Sequence, residues 1–124
     1  MLTSKFSIKD EEEIITEVNE DTAKDILVKA AKKTKSVGSS TLCLVLLDSQ
    51  AKKIHTSYIG DSVYMLFRYN NVANEFSLQY KAKEQQHSFN FPYQIGSNGD
   101  NPENAIKSTH DISHNDILII ASDG

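Results

Sequence analysis

The chain has 124 residues and a mass of 13.9 kDa, enough for one hydrophobic core and therefore for one domain or part of one. Hydrophobic residues make up 39% and charged residues 24%, close enough to ordinary globular usage to exclude overall disorder. The formal net charge is −4 and Arg68 is the sole arginine, which speaks against the basic face of a nucleic-acid binder and against an arginine cluster for phosphate.

Residues 1–35 read as helical. Ile14, Ile15 and Val18 recur at helical spacing, and a second stripe carries Ala23, Ile26, Leu27, Ala30 and Ala31. Asp21 or Thr22 is the expected N-cap, and Lys29, Lys32, Lys33 and Lys35 form a solvated last turn where positive charge suits the helix dipole. Gly38 ends the helical pattern. The apolar run from Leu42 to Leu47, stopped by Asp48-Ser49-Gln50, predicts a strand buried on both faces that pairs as a hairpin with Lys53 to Ile59. Ser62 to Arg68 alternates, with Val63, Met65 and Phe67 on one face. Asn70-Asn71 is a turn, and Phe76 to Tyr80 is a fourth strand. Gln85 to Glu103, with both prolines and two glycines, reads as a long loop of the kind that carries function. Asp116 to Ala121 reads as a last buried strand, running into Ser122-Asp123-Gly124. Helix segments followed by an antiparallel meander predict an α+β fold, with helix packed on sheet.

Cys43, the one cysteine, excludes a disulfide framework and a zinc ribbon; it fits a reducing compartment and is expected as a buried, inert thiol. No apolar run reaches the length of a membrane span. Met1 to Glu13 shows neither a signal-peptide core nor an Arg-rich transit pattern. His55 lies mid-strand and is expected to be structural. His110 and His114 are spaced for one helix face, but their neighbours give no helical stripe, so a turn before the last strand is expected. No Ser-His-Asp or Cys-His arrangement is readable.

Two acidic positions stand at strand ends. Asp123 follows an apolar strand and enters a Gly turn. Gly60-Asp61-Ser62 sits between two strands and repeats the arrangement. Carboxylates so placed suit hard divalent cations, although spacing alone favours plain turns at both positions. Gly38-Ser39-Ser40-Thr41 is a helix-to-strand junction and lacks the ending of a P-loop.

Taken in order, Gly38-Ser39-Ser40-Thr41 opening a strand, Ile59-Gly60-Asp61-Ser62, and Asp116 to Gly124 resemble the type 2C (PPM-type) metal-dependent protein Ser/Thr phosphatases. The stretch Gln85-Gln86-His87-Ser88-Phe89-Asn90-Phe91-Pro92-Tyr93-Gln94-Ile95 is similar to that of the branch whose members often work in mitochondria or plastids. The resemblance covers residues 21–124; residues 1–20 are an unassigned N-terminal extension.

The resemblance implies part of an α-β-β-α sandwich: two stacked, mostly antiparallel sheets flanked by helices. It implies Mg2+ or Mn2+ as cofactors, activating a bridging water for hydrolysis of phosphoserine or phosphothreonine in a phosphorylated protein substrate, in an intracellular setting. Asp123 falls on a core metal ligand and Asp61 on the aspartate of a third, weaker metal. Gly60, Ser62 and Gly124 support the backbone around them, and His87 and Asn90 are candidates on a substrate-side loop. The family's early Glu-Asp and Asp-Gly-x-Gly-Gly motifs and its late Asp-Asn motif do not occur. The chain is therefore expected to be the middle of a catalytic domain, with an inactive binding module as the alternative function.

Overall fold

The structure is a computed structural model that describes residues 6–8, 13–15 and 17–123. Phe6–Ile8 (β1) and Glu13–Ile15 (β2) pair antiparallel. This corrects the helical reading at Ile14 and Ile15: two adjacent β-branched residues suit an extended backbone better than a helix.

The helix, Glu20–Lys33 (α1), begins one turn after Glu17 and is capped by Asn19. The Asn19 side chain accepts the Thr22 N–H at 3.1 Å, and Thr22 Oγ1 accepts the Asn19 N–H at 3.1 Å. Such reciprocal caps contribute about 1 kcal/mol. The cap is thus Asn19 rather than Asp21 or Thr22; Asp21 instead places negative charge in the first turn. The helix buries Thr22, Ala23, Leu27 and Val28, whereas Ala30 is exposed. It stops at Lys33, before Gly38, which adopts a φ of 131° in the turn that follows.

Ten strands then follow: Ser39–Ser40 (β3), Leu42–Asp48 (β4), Lys53–Ile59 (β5), Val63–Asn70 (β6), Glu75–Lys81 (β7), Gln86–Ser88 (β8), Phe91–Pro92 (β9), Ile95–Gly96 (β10), Ile106–Asp111 (β11) and Ile117–Ala121 (β12). Two three-stranded antiparallel sheets result, in the orders β11-β5-β4 and β12-β6-β7. One face of the first sheet packs on α1 through Ile59, Leu27, Val28 and Ala105, flanked by Leu42, Tyr93 and Ile95. Its other face stacks on the second sheet through Tyr58, Val63, Tyr64 and Ala82. Tyr64 crosses between the sheets: its hydroxyl lies 2.9 Å from Thr56 Oγ1 and 2.6 Å from His110 Nε2, and its ring stacks on Tyr80. The fold is the expected α+β sandwich, with one helix among the described residues.

The strand buried on both faces is β5, not β4. β5 lies at the centre of its sheet between helix and second sheet, so Ile54 to Ile59 are all buried. β4 and β12 are edge strands: Leu47 is 66% exposed, and Ile117, Ile119 and Ile120 also face solvent. An apolar run reports hydrophobicity but not position within a sheet. In β6 Val63, Tyr64 and Leu66 are buried, so strict alternation does not hold at the start of the strand. The stretch from Gln85 to Glu103 is not plain loop. It holds β8 to β10 and a 3-10 turn, Pro102–Asn104, and β10 pairs with β3. His110 lies in β11, and only His114 falls in the turn. No helix among the described residues is long and apolar enough to cross a membrane.

A carboxylate pair at the end of the second sheet

In the β6–β12 ladder Val63 pairs with Ala121. Continuing that register by two residues sets Asp123 opposite Asp61. Asp61 is only 8% exposed. Burial raises its carboxyl above the ordinary value of 3.8, and the facing charge and hydrogen-bonding carboxylate of Asp123 raise it further; Glu84 adds a smaller push. Two aspartates from distant parts of the chain thus meet at one end of one sheet.

The turn that presents Asp61 is held from three sides. Gly60 has a φ of 106°, a conformation L side chains rarely adopt, and a Cβ there would lie 2.6 Å from the Tyr93 carbonyl oxygen. Its N–H donates to Gln85 Oε1 at 3.0 Å, and its carbonyl accepts the Gln85 N–H at 2.9 Å. The Gln85 amide donates onward to the Asn104 carbonyl at 2.9 Å. Ser62 Oγ lies 2.6 Å from Thr41 Oγ1, which ties the turn to the strand entry after Gly38. Gly124 lies outside the described residues.

His87 stacks face to face on Tyr93, with ring centroids 4.1 Å apart, and its Nε2 lies 2.7 Å from Asp100 Oδ1. The other oxygen of Asp100 accepts the Gln94 N–H at 2.9 Å. Tyr93, whose carbonyl approaches Gly60, thus links His87 to the turn that presents Asp61. Asn90 is exposed in the β8–β9 turn with a φ of 56°. Sequence reasoning missed Asp100 as the partner of His87, since a loop contact of this kind leaves no spacing signal. The bracing role of Gln85 was equally hidden, although the residue opens the segment from Gln85 to Ile95.

The remaining candidates fall elsewhere. His55 is buried mid-strand, with Nδ1 2.9 Å from Thr109 Oγ1. His110 packs against both Tyr64 and Tyr80, where burial lowers its pKa. Cys43 is half-buried rather than fully buried, and burial pushes its thiol up to about 11, consistent with an inert group.

The donor chemistry at Asp61 and Asp123 suits a hard divalent cation: two carboxylates, one largely withdrawn from water and destabilised by the other's charge. Among the described residues no three His, Cys, Asp or Glu side chains converge into a larger metal cluster. The pair supplies part of a coordination shell.

The fold is shared with a solved structure. The photosystem II phosphatase PBCP superposes with a TM-score of 0.72 at 24% identity, over 81% of this chain and 38% of that one. This defines the class of fold, a two-sheet α+β sandwich. The chain is also 36% identical over 97 residues to a protein phosphatase PTC7 homolog of Danio rerio, covering 71% of this chain and 31% of that protein. It is 37% identical over 101 residues to the probable protein phosphatase 2C 55 of Arabidopsis thaliana, covering 80% of this chain and 20% of that protein. The human PTC7 homolog is 34% identical, with 71% of this chain and 30% of that protein covered. No family model matches the chain. The chain belongs to the PPM-type (protein phosphatase 2C) family, and it spans between about a fifth and a third of the length of these curated relatives.

Proposed function

We propose that residues 21–124 are part of a metal-dependent protein Ser/Thr phosphatase domain, with residues 1–20 as an extension. The observation that carries this reading is the opposition of Asp61 and Asp123 at the end of the β6–β12 ladder. Asp123 would hold a core Mg2+ or Mn2+ ion, and Asp61 would contribute to a peripheral one. The chemistry such ions supply when bound is activation of a water for attack on a phosphoester. The chain's own part is to fix the two carboxylates. Gln85 and Thr41 brace the turn on either side of Asp61, and Gly60 lets Tyr93 close over it. The substrate is a protein bearing phosphoserine or phosphothreonine, and the setting is a mitochondrion or plastid, as the likeness to PTC7 homologs favours.

The test is Mn2+ titration of residues 1–124 followed by electron paramagnetic resonance. Two carboxylates hold such an ion weakly, because it keeps much of its water. Asp123→Asn should weaken binding about tenfold, and Asp61→Asn less, in line with the loss of a charged ligand. Unchanged affinity in Asp123→Asn removes the metal reading. Hydrolysis of a phenyl phosphate by this chain with Mn2+ is expected to be negligible. A second reading, a non-catalytic binding module, is favoured by the exposed apolar strand β12 and by the small donor set. Metal-dependent hydrolysis lost in Asp123→Asn would exclude it.

A further inference from the structure

In the segment between Gln85 and Glu103, one carboxylate is largely withdrawn from water: the Asp100 side chain is 19% exposed. Both of its oxygens are engaged. Oδ1 lies 2.7 Å from His87 Nε2, and Oδ2 accepts the Gln94 N–H at 2.9 Å. The Asp100 N–H returns to the Gln94 carbonyl at 2.7 Å. Asp100 is thus a junction, and its loss would leave the half-buried Gln94 N–H without an acceptor.

Both arms of the junction converge on Tyr93. The His87 ring lies flat on the Tyr93 ring, 7° from parallel with centroids 4.1 Å apart, and Gln94 is the next residue in the chain. Tyr93 is therefore held at its ring and at its backbone from the same carboxylate. Tyr93 in turn borders the turn that presents Asp61. Its N–H donates to the Gln85 carbonyl at 3.0 Å, Gln85 exchanges two hydrogen bonds with Gly60, and the Tyr93 carbonyl closes on Gly60. The far end of the segment is fixed separately: the Ser97 N–H donates to the Gly38 carbonyl and the Gly38 N–H to Ser97 Oγ, both at 3.0 Å. Asp100 tightens a segment that is already anchored beyond it.

We infer that the Asp100–His87 pair is a positioning clamp that holds Tyr93 against Gly60 and so fixes the Asp61 carboxylate opposite Asp123 for a divalent cation. This inference rests on the metal reading of the Asp61–Asp123 site. Asp100 and His87 are positioning residues and not ligands; they act through Tyr93 and Gln85. Such a clamp raises affinity by sparing the ion the cost of ordering its ligand.

The test joins Mn2+ titration of residues 1–124 to amide hydrogen exchange of the metal-free chain by nuclear magnetic resonance. Asp100→Ala and His87→Ala should each bind Mn2+ about fivefold more weakly, less than the tenfold or more (roughly) that follows loss of a residue bonded directly to a ligand. The Tyr93, Gln85 and Gly60 amides should exchange about tenfold faster, whereas the Ala82 N–H, which donates to the Tyr64 carbonyl in the sheet, should be unchanged. Asp100→Asn separates position from charge. Its Oδ1 can accept the Gln94 N–H and its Nδ2–H can donate to a neutral His87, so both bonds persist while the charge is gone. It should bind Mn2+ within about twofold of the parent chain.

An Asn variant as weak as the Ala variant assigns the effect to charge and overturns the inference. Unchanged Mn2+ affinity, or unchanged exchange at Tyr93, Gln85 and Gly60, in the Ala variants overturns it as well. His87→Ala decides the matter if Asp100→Ala does not fold, since the His87 side chain is 38% exposed and its loss leaves the Asp100–Gln94 bonds in place. Failure of the metal reading looks different: the unaltered chain then binds no Mn2+, or Asp123→Asn binds it equally well, and the clamp loses this role with the site.

Discussion

Asp61 and Asp123 face one another across the end of a single antiparallel ladder, the first largely buried and the second exposed. Their mutual repulsion gives the site a measurable signature. The folded-state pKa of Asp61 is raised, so the folded chain binds this proton more tightly than the unfolded chain. The associated stability is fully present below the ordinary value of 3.8 and is lost as pH rises through the raised one. Asp61→Asn should therefore melt at a higher temperature than the parent at neutral pH, and the gap should close as pH falls below the ordinary value of 3.8. A variant less stable than the parent at pH 7 would contradict the proposed repulsion.

Gly60 offers a contrast with Gly38. Both have positive φ, but a Cβ at Gly38 meets nothing within 4 Å, whereas at Gly60 it meets the Tyr93 carbonyl oxygen at 2.6 Å. Gly38→Ala should cost about 1 kcal/mol in urea unfolding from backbone strain alone, and Gly60→Ala about 3 kcal/mol or more, because backbone must shift as well. Equal costs would show that the Tyr93 segment yields freely.

Arg68 and Asp116 form the best-buried ion pair described. Asp116 is 5% exposed at its side chain and accepts Arg68 Nη2 at 2.8 Å, Arg68 Nε at 3.0 Å and the Ser113 N–H at 2.8 Å. Arg68 holds the Asp116 carboxyl below its ordinary value, so this contribution is present above 3.8 and is lost as pH falls through the depressed pKa. Arg68→Gln should destabilise the chain by about 1–3 kcal/mol at pH 7, by leaving a withdrawn carboxylate with its Ser113 partner alone. Urea unfolding at acid pH should show a smaller difference.

The outer face of the second sheet is apolar and uncovered. Met65 pairs with Ile119, and Phe67 with both Ile117 and Leu78, which puts these side chains on one face; Ile119 is 42% and Leu78 51% exposed. Such surfaces drive association. Residues 1–124 should bind a hydrophobic dye and sediment with concentration-dependent mass, and Ile119→Lys with Leu78→Lys should reduce both. A monomer that ignores the dye would show the face to be shielded.

The sequence by itself determined the α1 segment, the hairpin from Leu42 to Ile59, the strand after Ser62 and the final strand, because period and turn residues are local properties. It also supplied the two aspartates as strand-end carboxylates. Tertiary structure alone decided which apolar strand is central: β4 and β5 differ in burial by their place in the sheet, which no run of residues encodes. It likewise decided that Asp100 serves His87, that Gln85 braces Gly60, and that Asp123 comes to face Asp61. These relationships depend on ladder register between segments far apart in the chain. Register is set by the packing of whole faces against one another, so it appears only once the sheets have closed.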